Sequence, residues 1–169
     1  AAAAALGLRV VENAGRGNCF PLAVADATDG RFSHRTVRAR ARLFINNNPR
    51  APAVRALTQQ ERWRLHYDRE WISDSQARVI AVALRLDIFI FDEPHRCVRY
   101  VEYGQGEVSY PDNDTCAGML LGRPGDEQLN PYCMILYTPG HYRALKWPAR
   151  DGDGGGGGGG SVGGGDEGD

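Results

Sequence analysis

Lysine and long apolar runs are both scarce in this sequence of 169 residues. Lys146 is the only lysine among 20 basic residues, so arginine carries nearly all of the positive charge. No apolar run approaches the roughly 18–20 residues that a helix needs to cross a bilayer. Residues 1–7 lack the basic start and the length of a signal peptide. We therefore expect neither membrane association nor secretion, and we predict a cytoplasmic location.

Cysteine pairs of the kind that bind metals are also absent. The four cysteines, Cys19, Cys97, Cys116 and Cys133, form no C-x-x-C motif, and no histidine lies at zinc-finger spacing from them. Without a secretory leader the thiols are expected to stay reduced, because disulfides belong mainly to oxidising compartments. The sequence therefore predicts no structural metal and no cofactor.

The charge is unevenly distributed along the chain. Five of the 21 acidic residues follow Arg150, so residues 1–150 carry 16 acids against 20 bases, a net charge of +4. A nucleic-acid-binding domain usually has a clustered basic face and a higher isoelectric point. The densest basic run, Arg35, Arg38, Arg40 and Arg42, is predicted to be the solvated face of an amphipathic helix. We expect no nucleic-acid partner.

The two ends of the chain differ in composition from its middle. Residues 149–169 are mostly glycine with scattered acids, and such a segment buries too little apolar surface to offset the entropy lost on ordering. We predict a flexible tail or linker there, a flexible segment at residues 1–7 and one folded domain at residues 8–148. Because the sequence does not begin with Met, we expect a monomeric domain of a longer chain.

Helices are predicted in the first half of the domain. Residues 19–26 follow a glycine-rich turn, and a second helix begins near Ser33, where apolar residues recur at i, i+4 and i+7. Residues 58–61 and 73–76 are T-Q-Q-E and S-D-S-Q. Both are capping-box patterns, and each predicts a helix that starts there.

Strands are predicted in the second half. Residues 88–91 and 132–138 are continuous apolar runs, as expected of buried strands. Residues 98–103 and 107–110 flank a short glycine loop and predict a hairpin, and residues 141–145 form a last short strand. Helices first and strands later indicate an α+β domain with a mainly antiparallel sheet.

A glycine-rich turn places a cysteine at the start of the first long helix. Residues 15–20 read G-R-G-N-C-F, so Cys19 lies where the turn enters the helix. The partial positive charge at a helix N-terminus favours a thiolate. Glycines let backbone N–H groups point at a developing oxyanion. The alternative is a small buried residue without chemistry, because free cysteines are often buried.

A histidine follows the last long apolar strand. Residues 139–142 read P-G-H-Y, which puts His141 at the start of a strand. A histidine there can face a helix N-terminus across a cleft, as a thiolate–imidazolium pair requires. A cysteine and a histidine that meet only in the fold are typical of an intracellular cysteine hydrolase. His34, His66 and His95 are expected to be surface or structural residues.

These segments together resemble the ovarian-tumour (OTU) family of cysteine proteases. That family has a G-N-C-[FL] turn that opens a helix, a tryptophan just before a later helix, a strand of the I-x-I-F kind and a C-terminal H-Y. Here these are residues 17–20, Trp71, residues 88–91 and residues 141–142. By itself, Trp71 predicts only a buried aromatic in front of a helix N-cap. The resemblance covers about residues 10–145 and implies a small sheet sandwiched between helices.

The resemblance implies a thiol-dependent deubiquitinase. The family usually hydrolyses the isopeptide bond after the C-terminal glycine of ubiquitin or a ubiquitin-like protein, which would be the partner here. Cys19 is then the nucleophile and His141 its general base, and backbone N–H groups of Arg16, Gly17 and Asn18 form the oxyanion hole. No metal or cofactor takes part. The family includes compact viral members, and a viral chain would act in the host cytoplasm.

Two positions depart from the family pattern and leave the third catalytic group open. Members often have Asp three residues before the cysteine, and many have Asp or Asn two residues after the histidine. Here those positions are Arg16 and Arg143. A third group orients the imidazole and stabilises its charge. The site is therefore a Cys–His dyad, a triad completed by Glu12, Asn13 or Asp74, or inactive.

Two alternative functions follow from the same residues. The missing initiator Met and the glycine-rich tail suggest a domain of a viral polyprotein, which would cleave its own precursor. Arg16 and Arg143 suggest instead a catalytically inactive module that binds ubiquitin.

Overall fold

The computed structural model describes residues 2–15, 17–67, 69–121 and 131–148. Seven helices and six strands lie in these ranges. The helices are α1 (Ala2–Ala5), α2 (Cys19–Ala27), α3 (His34–Asn47), α4 (Pro52–Arg55), α5 (Gln59–Arg64), α6 (Asp74–Leu84) and α7 (Asn113–Leu121). The strands are β1 (Arg9–Val11), β2 (Asp87–Asp92), β3 (Cys97–Val101), β4 (Val108–Ser109), β5 (Tyr132–Thr138) and β6 (His141–Lys146).

Every helix and strand expected from the sequence is present, and three helices were not predicted. Two of these, α1 and α4, have only four residues each. The third, α7, contains Gly118 and shows no clear apolar stripe. The flexibility predicted for residues 1–7, which include α1, stays a prediction. The predicted tail at 149–169 lies outside the described residues.

The six strands form one sheet in the order β1-β6-β5-β2-β3-β4. β2 and β5 run parallel, with Ile90 opposite Ile135, and the other four pairings are antiparallel. All six residues of β2 are buried, as its apolar run predicts for a central strand. The mainly antiparallel sheet expected from the sequence is therefore confirmed.

Helices cover both faces of the sheet. On one face, Phe20 of α2 and Ile80 of α6 belong to the same apolar cluster as Ile90. On the other face, Leu120 of α7 packs in a second cluster with Phe89. These two clusters confirm an α+β fold with the sheet between helices. Within the described ranges, no helix has the length and apolar character needed to cross a membrane.

Both predicted capping boxes form, and the second one joins two helices. Thr58 and Glu61 cap α5 reciprocally, and Ser73 and Gln76 do the same for α6. The Ser73 hydroxyl also donates to the Glu61 carboxylate, and Gln76 Nε2 donates to the Glu61 carbonyl at 2.7 Å. The start of α6 is therefore held by α5, which fixes the segment just before it, residues 70–72.

The prediction of a solvated arginine face on α3 is wrong at one position. Arg35 and Arg40 are exposed, but Arg38 is only 3% exposed. Arg38 lies in the same helical stripe as Ala41 and Ile45, at i+3 and i+7, and that stripe faces the core. A buried guanidinium needs several hydrogen-bond acceptors, and its partners lie beside Cys19.

Ser73→Ala is expected to destabilise the fold and to raise the pKa of Glu61. Burial raises the pKa of this carboxyl, but hydrogen bonds from Ser73 and Thr58 outweigh burial and hold the pKa below its ordinary value. Removing the hydroxyl deletes one donor and a helix cap, at a cost of about 1 kcal/mol in the free energy of unfolding. NMR titration and urea unfolding measure the two effects.

The sign of the pH dependence follows from the lowered pKa. Glu61 stabilises the fold above the carboxyl's unfolded pKa, and this contribution is lost as the pH falls through the folded pKa. Wild type should therefore lose more stability on acidification than Ser73→Ala. Ser33→Ala is the control, because Ser33 caps α3 through Thr36 N at 3.1 Å and does not contact Glu61. An unchanged Glu61 pKa in Ser73→Ala would contradict the assignment.

Candidate active site

Cys19 is the first residue of α2 and lies at the end of that helix nearest the start of β6. α2 packs mainly on β6 and also on β5. The Phe20 and Tyr142 rings form a T-shaped pair, with centroids 5.1 Å apart and planes at 87°. Burial raises the pKa of Tyr142 to about 12, so the ring stays neutral. Because Phe20 follows Cys19 and Tyr142 follows His141, this contact brings the two candidate catalytic residues to the same region.

The His141 ring lies against the turn that leads to Cys19. A Cβ atom placed on Gly15 would lie 2.7 Å from His141 Cε1 and 3.1 Å from Nδ1. Gly15 also has φ +63°, a conformation that favours glycine. Both the backbone and the imidazole therefore require glycine at position 15, which explains its place four residues before the cysteine.

Asn13 links the same turn to β6. Its Nδ2 donates to the Tyr142 carbonyl at 2.9 Å, and its Oδ1 accepts from Gly15 N at 3.1 Å. Both ends of the amide are therefore bound to backbone. Asn13, one of the three candidates for the third catalytic group, supports the turn that contacts His141 and does not itself bind the imidazole.

The other two candidates for the third group have different partners. Glu12 Oε1 accepts from Arg143 Nη1 at 2.8 Å, and Asp74 pairs with Arg99. Within the described part of the chain, the His141 side chain has no hydrogen-bond partner. None of the three candidates is therefore bonded to His141 among the described residues, and Arg143 is partly neutralised by Glu12.

The turn before Cys19 packs directly on a second loop. Gly17 has φ +84°, and a Cβ atom there would lie 1.7 Å from the Arg69 carbonyl oxygen. No side chain fits at this contact. The loop at residues 69–73, which leads into α6, is therefore in backbone contact with the turn that carries the cysteine.

The three residues predicted to form the oxyanion hole have different outcomes. Arg16 lies outside the described residues. Asn18 is the N-cap residue of α2 but makes no side-chain capping bond, and its own N–H donates to the Gly15 carbonyl at 3.3 Å. Gly17 lies in the turn, packed against Arg69. Pro21 has no N–H, so the start of α2 offers few backbone donors beyond those of Cys19 and Phe20.

The Cys19 side chain is buried, with 1% of the residue exposed. No hydrogen bond joins its sulfur to His141 among the residues described. Burial raises the thiol pKa of both Cys116 and Cys133, so neither is suited to be a nucleophile at neutral pH. No group of three or more potential metal ligands occurs in the described ranges.

Trp71 borders the site beside Gly140, in the turn between β5 and β6. Its Cη2 atom lies 4.0 Å from the Cβ position of Gly140, the residue just before His141. The prediction that Trp71 is a buried aromatic is wrong, because 45% of it is exposed. Its indole therefore forms part of the surface next to the imidazole.

Arg38 is the residue near the site that sequence reasoning missed. It donates to the Gly17 carbonyl at 3.3 Å and to Asn18 Oδ1 at 3.1 Å, and it also contacts the Glu70 carbonyl. The signal that could have found it is its helical spacing, since positions 38, 41 and 45 share one stripe. The three neighbouring arginines led us to predict a solvated face for all four positions, so this spacing was not applied to Arg38.

The fold is similar to those of solved OTU domains. An OTU deubiquitinase from Wolbachia pipientis wMel has a TM-score of 0.60 at 14% identity, over 82% of this chain and 88% of the other. The OTU domain of OTUD1 has a TM-score of 0.55 at 15% identity, over 83% and 86%. The Hazara virus OTU, solved bound to ubiquitin, has a TM-score of 0.51 at 19% identity, over 84% and 82%.

These comparisons show the fold. No protein-family model matches the sequence, and no curated protein matches it. At identities of 14–19%, the structural similarity establishes an OTU-like fold, as the sequence motifs led us to expect.

Gly17→Ala is expected to destabilise the fold far more than Gly30→Ala. Both glycines have a positive φ, +84° and +76°, but only Gly17 is packed against backbone, and nothing lies within 4 Å of a Cβ on Gly30. The shared backbone strain costs about 1–2 kcal/mol, and the steric contact with Arg69 adds about 1–3 kcal/mol to the Gly17 variant. Urea unfolding compares them, and equal losses would show that the two loops are not in contact.

Proposed function

We propose that this domain is a cysteine-type deubiquitinase that hydrolyses the isopeptide bond after the C-terminal glycine of ubiquitin or a ubiquitin-like protein. One observation carries the proposal: the His141 imidazole packs on Gly15, in the turn that presents Cys19 at the front of α2. The OTU-like fold supports it, and two of the similar solved structures are of OTU domains bound to ubiquitin. His141 is the proposed base and Cys19 the proposed nucleophile.

The first half of the reaction forms a thioester. His141 takes the proton from the Cys19 thiol, and the thiolate attacks the carbonyl carbon of the terminal glycine. The negative charge that develops on the carbonyl oxygen is stabilised by backbone N–H groups at the front of α2 and by the helix dipole. The carbon–nitrogen bond then breaks, and His141 returns its proton to the departing lysine amine.

The second half releases ubiquitin. His141 removes a proton from a water molecule, which attacks the thioester carbon. The carbon–sulfur bond breaks, Cys19 regains its proton from His141, and the new carboxylic acid of ubiquitin loses its proton to solvent and leaves as the carboxylate. No metal or cofactor is required for any of these steps.

Substrate binding has to bring the sulfur and the imidazole into hydrogen-bond contact. Hydrogen bonds between catalytic groups are often long without substrate and tighten in the substrate complex. The half-exposed Trp71 ring, beside Gly140, forms one wall of the surface on which the flexible tail of ubiquitin would lie. We propose that entry of the tail shifts the turn before Cys19 and uncovers its sulfur.

A ubiquitin molecule with an electrophilic C-terminal warhead tests the proposal. It should form one covalent adduct with wild type, at Cys19, and none with Cys19→Ala, as measured by intact-protein mass spectrometry. His141→Ala should slow adduct formation by about 10²–10⁴-fold, the usual contribution of a general base.

Cys97→Ala is the matched control, because Cys97 is partly exposed whereas Cys19 is buried. If solvent exposure alone determined the reaction, the probe would label Cys97. If binding of the probe at the active site determines it, the probe labels Cys19. An adduct that survives Cys19→Ala, or a wild type that forms none, would overturn the proposal.

The buried thiol favours a second candidate function, a ubiquitin-binding module without turnover. Cys19 is 1% exposed, and no carboxylate or amide among the described residues orients His141. Binding of ubiquitin measured by calorimetry, together with no turnover of a fluorogenic ubiquitin substrate, would select this candidate. Measurable turnover that is lost in Cys19→Ala would exclude it.

Arg143→Asn is expected to increase activity. Position 143 lies two residues after His141 on the same strand, so both side chains are on one face of the sheet. An amide there can accept the imidazole N–H and fix the orientation of the base. We expect kcat to rise by about tenfold on a fluorogenic ubiquitin substrate, because orienting a general base is worth a part of the roughly 10²–10⁴-fold effect of the base.

Arg143→Ala distinguishes the effect of the new asparagine amide from the effect of losing the arginine charge. It removes the pair with Glu12, an exposed contact worth about 0–1 kcal/mol, but supplies no acceptor for His141. Equal kcat values for Arg143→Ala and Arg143→Asn would mean that the charge of Arg143, and not the missing third group, limits the wild-type enzyme.

A further inference from the structure

Arg38 is a buried cation that lies between two loops of the candidate site. It is 3% exposed in the middle of α3. Removing a guanidinium from water is costly unless its N–H groups find acceptors. At this position the acceptors come from the turn before Cys19 and from the loop before α6, and both loops border the candidate active site.

The guanidinium bonds to the two loops at once. Nη2 donates to the Gly17 carbonyl at 3.3 Å and to the Glu70 carbonyl, and Nε and Nη2 both reach Asn18 Oδ1, at 3.3 and 3.1 Å. Nη2 has two hydrogens for its three acceptors, so these bonds are shared, and Nε is a second donor directed at Asn18. A lysine ammonium is a single point donor and lacks that second nitrogen. Arg38 is therefore suited to join the loops and not only to neutralise charge.

Asn18 completes the link from the other side. Its Oδ1 accepts from Arg69 N at 3.0 Å as well as from Arg38. Asparagine at an N-cap usually bonds to the first N–H groups of its own helix, but Asn18 makes no such bond. Pro21, in the first turn of α2, has no N–H to donate to a capping side chain. The Asn18 side chain is thus used to connect the loops.

The bond to the Gly17 carbonyl also orients the turn. In a trans peptide the carbonyl of Gly17 and the N–H of Asn18 point in opposite directions. With its carbonyl held by Arg38, this peptide directs its N–H to the Gly15 carbonyl, at 3.3 Å. Gly15 in turn packs on the His141 ring. Arg38 is therefore linked to the imidazole through contacts of Gly17, Asn18 and Gly15.

We propose that Arg38 is a positioning residue that holds the turn carrying Cys19 against the loop at residues 69–73, the Trp71 loop, and keeps that turn packed on His141. The inference rests on the proposed function for its effect on catalysis. Its effect on the two loops does not depend on that function. Loss of the guanidinium should release the turn, expose the Cys19 sulfur and loosen the packing of Gly15 on the imidazole.

The two expected effects of Arg38→Lys on Cys19 have opposite directions. Alkylation of Cys19 by iodoacetamide should become about tenfold faster, because the loop opens locally. Reaction with the ubiquitin warhead probe should become about tenfold to a hundredfold slower, because misplaced catalytic groups lose rate steeply. A purely structural defect would accelerate alkylation of the buried Cys116 and Cys133 as well, so these two thiols report global opening.

Hydrogen exchange gives a readout that needs no ubiquitin. The backbone N–H groups of Asn18 and Arg69 should exchange about tenfold faster in Arg38→Lys, while those of β2 and β5 stay protected. Arg35→Lys is the matched control, because Arg35 is on the same helix, one turn earlier, and exposed. Arg38→Lys values equal to those of Arg35→Lys, in exchange and in Cys19 alkylation, would overturn the proposal.

Asn18→Ala decides the question if Arg38→Lys unfolds. It removes the oxygen that Arg38 and Arg69 share and leaves the guanidinium in place. Faster alkylation of Cys19 with unchanged Cys116 and Cys133 supports the proposal, and unchanged Cys19 alkylation overturns it. If wild type does not react with the ubiquitin probe, the proposed function fails, and the alkylation and exchange results still decide the role of Arg38.

Discussion

The candidate site depends on the packing of α2 across β6. The contact between the Phe20 and Tyr142 rings fixes where the first residue of the helix lies relative to the first residue of the strand. Cys19 and His141 are the preceding neighbours of those two aromatic residues, so a packing contact in the core determines the position of the chemistry. The turn before Cys19 fits between the imidazole and the Arg69 carbonyl only because Gly15 and Gly17 have no side chains.

The same packing has a consequence for reactivity. A turn that is held on both sides, by Asn13 towards β6 and by Arg38 towards the Trp71 loop, leaves the Cys19 sulfur buried and without a partner for its proton among the described residues. Any reagent or ligand that reaches this sulfur therefore requires a local displacement of the turn. Arg143 pairs with Glu12, and among the described residues the imidazole of His141 has no hydrogen-bond partner, so its contact with Gly15 is what locates it beside the turn.

The sequence was sufficient where the determining interactions are local. The capping boxes at Thr58 and Ser73 join residues three apart, and the apolar runs of β2 and β5 identify buried strands without reference to other segments. The short helices α1 and α4 contain too few residues to show a helical pattern of apolar positions. The parallel pairing of β2 with β5 depends on how the strands are arranged in the fold, which their own residues do not indicate. Arg38 and Gly17 act through contacts 21 to 52 residues distant in sequence, which no local pattern reveals.

The central proposal is that the sulfur of Cys19 and the imidazole of His141 act as a nucleophile–base pair. A short bifunctional alkylating agent, dibromoacetone, tests it directly. Its bridge has only three carbons, so it can join only two nucleophilic atoms that come as close together as a nucleophile and its base. Digestion and mass spectrometry should find one bridge, between the peptides that contain Cys19 and His141. Cys19 alkylated at one end only, or bridged to any other residue, would contradict the claim.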